Sequence, residues 1–328
     1  MAAIIPSSVS AADAEPEFVY RPLVEEYTGL WCTGCPAGYV AIEECSEKYG
    51  SDFVAIAYHV NDEIQSAAVT LPTSPKSVPA AYGNRQEIRG GVSSIGEFYT
   101  EEIEQGSAGA SLTVRLEWTS RMRSQLRAVA DVKFAENHSS ADYRLAYCLV
   151  ADGLKNRAWL QANRFSGMNY SGKYWDLFTK GGAYVANLEY NNVPCIFNDV
   201  KGIEGSLPKE IKAMENYTHS ESFVLSKAKT RKTNAPLIQD NDRLRVIVIL
   251  FDVRNGRVVN CVSSEYSKDA PIAMSGVQDV EQNFNGSAVE VRYYSMQGVE
   301  LNAAPRRGTP YIRVEIIADG ERRVSKML

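Results

Sequence analysis

Residues 25–39 read EEYTGLWCTGCPAGY, and the two cysteines at the centre, Cys32 and Cys35, decide how the rest of the chain is read. Thr33 and Gly34 separate them, Trp31 precedes the pair and Pro36 follows it. Three readings are open: a working redox pair, a structural staple, or half of a metal site. The preceding residues 18–29, FVYRPLVEEYTG, are rich in β-branched and aromatic side chains and predict an extended strand. The following stretch, AGYVAIEECSEKYG, spaces its apolar residues as a helix does and stops at Gly50. The pair therefore falls where a strand turns into a helix.

A cysteine in the first turn of a helix faces unpaired backbone N–H groups and the positive end of the helix dipole. Both favour the thiolate and make the sulfur a nucleophile near neutral pH. A helix beginning near Cys32 puts that residue at an exposed tip and packs Cys35 one turn behind it. Cys32 is then the nucleophile that forms a mixed disulfide with a substrate, and Cys35 resolves it; run backwards, the pair oxidises or isomerises. Glu26, on the predicted strand, is placed to serve Cys35 as a buried proton acceptor. Its other reading is a strand residue with one face in water. A zinc site would need a second close cysteine pair or a nearby histidine pair, and His59, His138 and His219 are scattered.

The chain has 328 residues, more than one ordinary core, which predicts two or three domains. Hydrophobic residues at 45% and charged residues at 23% fit soluble globular protein. A net charge of −5 with no long basic block argues against nucleic acid as a partner. No apolar run of about 18 residues occurs, so no transmembrane helix is expected. The N-terminus, MAAIIPSSVSAADAEPEF, lacks the basic start and apolar stretch of a signal peptide. Residues 1–17 fit a flexible mature N-terminus left after a leader is removed; a cytosolic protein is the alternative.

FVAIAYHV, residues 53–60, is a nearly continuous apolar run and predicts a buried parallel strand. A short helical segment is expected over 61–70, then a proline-rich turn, LPTSPKSVPAAYGNR, then a helix over 93–105. Residues 18–106 thus form an α/β unit with a parallel core. From residue 107, strand-like runs separated by turn residues predict an antiparallel β-sandwich over 107–269. A long aromatic excursion over 155–240 interrupts it. Residues 270–328 read as a small β module, a meander of about four strands.

EEYTGLWCTGCP resembles the thioredoxin active site, a strand leading into W-C-x-x-C-P at a helix start. Ser77-Val78-Pro79-Ala80 resembles that superfamily's second signature, a cis-proline just before a strand. The resemblance implies that Pro79 lies beside Cys32 and that Trp31 and Val78 position an extended substrate chain. It implies no dissociable cofactor and no metal, because the cysteines carry the electrons. More widely, AYHVNDEI, VPAAYGNR and DVRNGRVVNCVSSE are similar to the outer-membrane-protein-28-related family of Bacteroidetes, which joins a thioredoxin-like domain to a β-sandwich. The final RYYSMQGVELNAAPRRGTPYIRVEIIADGERRVSK resembles C-terminal β modules of secreted Bacteroidetes proteins, some of them secretion signals.

Together these imply an α+β multidomain protein, exported to the periplasm or the outer-membrane surface. Its partners would be protein thiol or disulfide substrates and an envelope redox partner. Two departures stand out. Little chain separates Pro79 from the last helix of the unit, so the usual hairpin after the cis-proline is expected to be shortened or missing. The Thr33-Gly34 dipeptide is neither the Gly-Pro of reducing thioredoxins nor the Gly-His of isomerases, which leaves the direction of electron flow open.

The rival to an oxidoreductase is an envelope binding or adhesion protein whose sandwich does the work and whose thioredoxin-like unit is a scaffold. Among the remaining residues, His59 reads as structural or as lying near the redox face. Cys45 reads as a core thiol, and Cys148 and Cys261 as small buried hydrophobes or a disulfide between neighbouring strands. Cys195 reads as partly exposed. The aromatics Tyr170, Tyr174, Trp175, Phe178, Tyr184 and Tyr190 would stack a sugar, cover the redox face, or fold onto the sandwich.

Overall fold

The computed structural model describes residues 18–273, 290–295, 300–301, 311–316 and 322–327. The expected flexible segment 1–17 lies outside these, as does part of 270–328. The chain forms two compact units, Met1–Ile272 and Ala273–Leu328.

The first unit begins with β1 (Leu23–Thr28), α1 (Pro36–Tyr49), β2 (Val54–His59), β3 (Ala80–Gly83), β4 (Gln86–Glu87) and α2 (Ile95–Gln105). The strands form one sheet in the order β2-β1-β3-β4. β1 and β2 are parallel, whereas β3 and β4 run antiparallel, so the sheet is mixed where a parallel core was predicted. The hairpin of β3 and β4 is present but short. The helix expected over 61–70 is absent. Asp62 instead accepts the amides of Ile64 and Gln65 at 2.9 and 3.1 Å, a side-chain turn that competes with helix.

The period of two along β1 sets up the whole unit. Val24 faces α1 and α2, in a cluster with Ile42, Cys45, Ala55, Ile95 and Tyr99. Leu23 and Tyr27 face the opposite side with Val54, Ile56 and Tyr58. That second face meets the sandwich.

Next along the chain come β5 (Ala110–Trp118), β6 (Gln125–Phe134), β7 (Tyr143–Ala151), the short β8 (Gln161–Ala162), α3 (Trp175–Thr179), β9 (Tyr184–Val185), β10 (Val193–Ile203), β11 (Tyr217–Val224), β12 (Leu244–Asp252) and β13 (Arg257–Ser263), and seven of these strands form the sandwich. One sheet has the order β10-β7-β12-β13 and the other β11-β6-β5. The supposed excursion over 155–240 therefore supplies two sandwich strands, β10 and β11. Only the stretch between β7 and β10 leaves the sandwich, carrying the β8–β9 hairpin and α3.

β7 and β12 are apolar on both faces because both faces are covered. Leu145, Tyr147, Leu149, Val246, Val248 and Leu250 point into the sandwich. Ala146, Cys148, Val150, Ile247, Ile249 and Phe251 point outward and pack on Leu23, Tyr27, Val54, Ile56 and Tyr58. The layers are thus helices, mixed sheet, four-stranded sheet and three-stranded sheet. Each such apolar side chain removed from water contributes about 1.5–3 kcal/mol, so this contact is a principal core of the unit.

The cysteines fall into place on this frame. Cys45 is buried and free, as expected. Cys148 and Cys261 are also free: they sit on β7 and β13, with β12 between them, opposite Ile247 and Ile249. They cannot pair across an intervening strand, and they face the mixed sheet rather than the sandwich interior. Cys195 is fully buried, not partly exposed.

The second unit carries β14 (Glu290–Ser295), β15 (Glu300–Leu301), β16 (Tyr311–Ile316) and β17 (Arg322–Met327), an antiparallel sheet of order β15-β14-β16-β17. No helix among the described residues is long and apolar enough to cross a membrane.

Candidate functional site

β1 ends at Thr28 and the chain turns through Gly29, Leu30 and Trp31 into Cys32. Cys32 and Cys35 form a disulfide, with their Cα atoms 5.4 Å apart. Helix α1 starts at Pro36 with Cys35 as its N-cap, so Cys32 lies in the turn ahead of the helix and not in its first turn. The amides of Cys35, Ala37 and Gly38 donate to the carbonyls of Cys32, Gly34 and Cys35 at 3.0–3.3 Å. Those N–H groups are therefore taken, and the helix dipole is what remains to favour a thiolate.

Exposure also differs from expectation. Cys32 is 5% exposed and Cys35 1%, while Trp31 at the rim is 54% exposed. The indole Nε1 of Trp31 donates to Val60 O at 2.8 Å, which holds the ring in place.

Cys32 is covered by the segment between β7 and β10. Gln161, itself buried, directs its Nε2 at the carbonyls of Cys32 and Gly29, at 3.0 and 3.2 Å. The amide of Ala162 donates to Leu30 O at 2.7 Å, and that of Arg164 to Thr33 O at 3.1 Å. The same segment packs aromatic rings on α1: Tyr39 meets Phe178 at 5.5 Å and Tyr190 at 6.3 Å between centroids. Tyr170 stacks on Trp175 at 4.3 Å. These rings fold the segment onto α1 and the sandwich together.

The Val78–Pro79 peptide is cis. A Cβ placed on Gly34 would lie 3.4 Å from Pro79 Cδ and 3.5 Å from Arg164 Cζ, so proline and arginine both pack on the Cys32–Cys35 turn. Val78 is half-buried against the sheet–sandwich core.

Glu26 points to the helix side of β1 and is buried. A Cβ on Gly38 would collide with Glu26 Oε1, so glycine is what lets the carboxyl lie against α1. That Oε1 has no hydrogen-bond partner. Burial pushes the carboxyl up to about 8, and a Thr28 hydroxyl pulls it back only in part. Glu26 lines a cavity of about 20 Å³ with His59, Gln161 and Tyr190. That is room for about one water.

His59 Nδ1 lies 2.6 Å from Asp62 Oδ2, with both side chains buried. Burial alone would raise Asp62, but His59 and the amides of Leu30 and Ile64 outweigh it and hold the carboxyl low. Asp62 Oδ2 also accepts the Leu30 amide at 2.9 Å. His59 is thus a satisfied partner in the scaffold that fixes the cysteine turn.

Cys32, Cys35, Pro79 and Glu26 accordingly converge on residues 32–38, with Trp31 at the rim and Val78 beside Pro79. Gln161, Arg164 and Asp62 also reach the site and were not foreseen. Gln161 and Arg164 come from a loop about 130 positions further along the chain, and LQANRF carries no local signal of where it lands. Among the described residues no group of His, Cys, Asp and Glu has the arrangement of a metal site.

No protein-family model matches the sequence, and neither does any curated protein. Among solved structures the chain is similar to HBP35 of Porphyromonas gingivalis, with a TM-score of 0.53 and 16% identity over 96% of this chain and 99% of that one. A protein of Agrobacterium tumefaciens gives a TM-score of 0.42 and 12% identity over 75% of this chain and 95% of that one. A domain of the outer membrane lipoprotein Omp28 from Porphyromonas gingivalis gives 0.25 and 11% over 51% and 92%. The likeness to HBP35 is one of fold.

Proposed function

We propose that the chain is an exported thiol–disulfide oxidoreductase related to the outer-membrane-protein-28-related proteins of Bacteroidetes. It has a thioredoxin-like unit over 18–106, a sandwich over 107–269 and a β module over 270–328 that serves sorting. The observation that carries this reading is the Cys32–Cys35 disulfide in a turn that ends at a helix start, with Pro79 on its Gly34 and the buried carboxyl of Glu26, its Oε1 unpartnered, behind it.

In the reducing direction the Cys32 thiolate attacks a substrate disulfide and expels one thiolate. Cys35 then attacks the mixed disulfide at Cys32 Sγ and expels the second. The substrate gains two electrons as two thiols, and the pair is left oxidised until a partner dithiol of the envelope restores it. Glu26, pushed up to about 8, takes a proton from Cys35 and returns it near neutral pH, with a water in the adjoining cavity as the relay. Trp31 and Val78 flank the approach and position the substrate chain.

The low exposure of Cys32 beneath Gln161 favours a second reading, an envelope binding protein whose redox unit is a scaffold. Reduction of a disulfide-bonded protein by dithiothreitol, with wild type beside Cys32→Ser, separates the two. The oxidoreductase accelerates the reaction at least tenfold over its serine variant, about 1.4 kcal/mol of barrier. Equal rates leave the binding protein.

A further inference from the structure

We propose that Arg164 is a specificity-determining residue of the redox site, and that it selects disulfides carrying a carboxylate close to the sulfur under attack. The inference rests on the oxidoreductase reading and adds the substrate's charge to it.

Three observations meet at Arg164. Its amide donates to Thr33 O at 3.1 Å, so the main chain fixes it beside the cysteine turn. Its guanidinium comes within 3.5 Å of the Cβ position of Gly34, next to Pro79, and lies 5.3 Å from the Phe165 ring. A Cβ at Gly34 would be in van der Waals contact with both neighbours. Finally, Arg164 is exposed, and no carboxylate among the described residues pairs with it.

An exposed arginine is ordinarily hydrated surface. This one is held by backbone and ring against the turn that an incoming disulfide must approach, and its charge is unspent. The planar guanidinium offers donors that match a carboxylate in bidentate fashion. A carboxylate on the substrate is captured there while Cys32 displaces the first thiolate. Cys35 then displaces the second, the substrate leaves as two thiols, and the pair remains a disulfide. The electrons come from the pre-reduced cysteines, restored by a dithiol reductant. Arg164 touches neither sulfur in this scheme; it positions the substrate.

The test uses the full chain, pre-reduced, and three small disulfides of similar size: dianionic 3,3′-dithiodipropionate, neutral bis(2-hydroxyethyl) disulfide and dicationic cystamine. The rate of Cys32–Cys35 oxidation by each is divided by that compound's rate with free dithiothreitol. Wild type is expected to prefer the dianion over the dication by about tenfold, the scale of one partly screened charge contact. Arg164→Gln abolishes the preference, Arg164→Glu inverts it, and Arg164→Lys keeps part of it. Salt at about 0.5 M flattens the wild-type preference. An unchanged ratio in Arg164→Glu, or an equal loss with all three compounds, overturns the role of Arg164 and leaves the oxidoreductase standing. No oxidation dependent on Cys32 by any of the three overturns both.

Discussion

The carboxyl of Glu26 rests against the bare Cα of Gly38, on the turn of α1 that follows Cys35. Helix propensity alone would favour alanine at position 38 by about 1 kcal/mol. The methyl group would instead strike Glu26 Oε1 and lie 3.2 Å from Val92 Cγ1, in a packed interior. Overpacking of this kind costs about 1–3 kcal/mol. Gly38→Ala is therefore expected to lower stability by up to about 2 kcal/mol in urea unfolding; a more stable variant would show that the carboxyl moves aside freely.

Glu26 also makes stability depend on pH in a direction opposite to the usual carboxylate. Its folded value, about 8, lies above the ordinary 4.5. The folded state holds the proton more tightly, so this contribution is complete below pH 4.5 and is lost as pH rises through about 8. Glu26→Gln removes the titration. The variant should gain stability relative to wild type between about pH 5 and about pH 9, by up to a few kcal/mol. Denaturant midpoints for both proteins across that range decide it. Parallel curves would mean that Glu26 is solvated in solution.

Gln161 fastens the loop that carries Cys32, with Nε2 shared between Cys32 O and Gly29 O. Removing the amide takes away the side-chain tie to the turn and leaves Gly29 O and Cys32 O with only their backbone donors, the amides of Cys32 and Cys35. With the pair reduced, Gln161→Ala should react with a maleimide at Cys32 several-fold faster than wild type, by mass-spectrometric labelling kinetics. Equal labelling rates would place the barrier to access elsewhere.

Arg245 and Asp152 form a two-pronged ion pair, Nε to Oδ2 at 2.7 Å and Nη2 to Oδ1 at 3.0 Å, with both side chains largely buried. Asp152 Oδ1 also accepts the Asn192 amide, and Asn192 O takes the amide of Ala57 on the edge of β2. The pair thus ties the sandwich to the mixed sheet. Arg245→Ala strands a buried carboxylate and should cost about 3–5 kcal/mol. Burial opposes ionisation of Asp152, yet Arg245 outweighs it and holds the carboxyl below 3.8. That contribution is present above pH 3.8 and lost as pH falls through the lowered value, so the gap between wild type and variant should narrow in acid. Thermal melts at two pH values check both halves.

The strand, the cysteine pair, the proline turn and the main sandwich strands were legible because each is local. β-branched runs, a helix stop at Gly50 and three prolines in one short stretch act over a few residues. The helix start was misplaced because Pro36, with no N–H, sits well at the first helical position and Cys35 then serves as the cap. The helix expected over 61–70 does not form because Asp62 captures nearby amides. β10 and β11 were lost in the excursion because Pro194 interrupts one and the other is mostly polar. One signal was present and unused. LAYCLVA in β7 and VIVILFD in β12 are apolar without alternation, which in an antiparallel sheet means that both faces are covered. Nothing local could have placed Gln161 and Arg164 over the cysteines, since only the closed fold brings them there.

The seating of β7 and β12 on β1 and β2 has a consequence for anyone who would dissect this chain. A fragment ending at Gly106 would keep the disulfide, Pro79 and Glu26, yet bare Leu23, Tyr27, Val54, Ile56 and Tyr58 to water. The unit that carries the cysteine pair is thus no detachable cassette. The sandwich is its other half, and a cut between them yields two sticky pieces in place of two working ones.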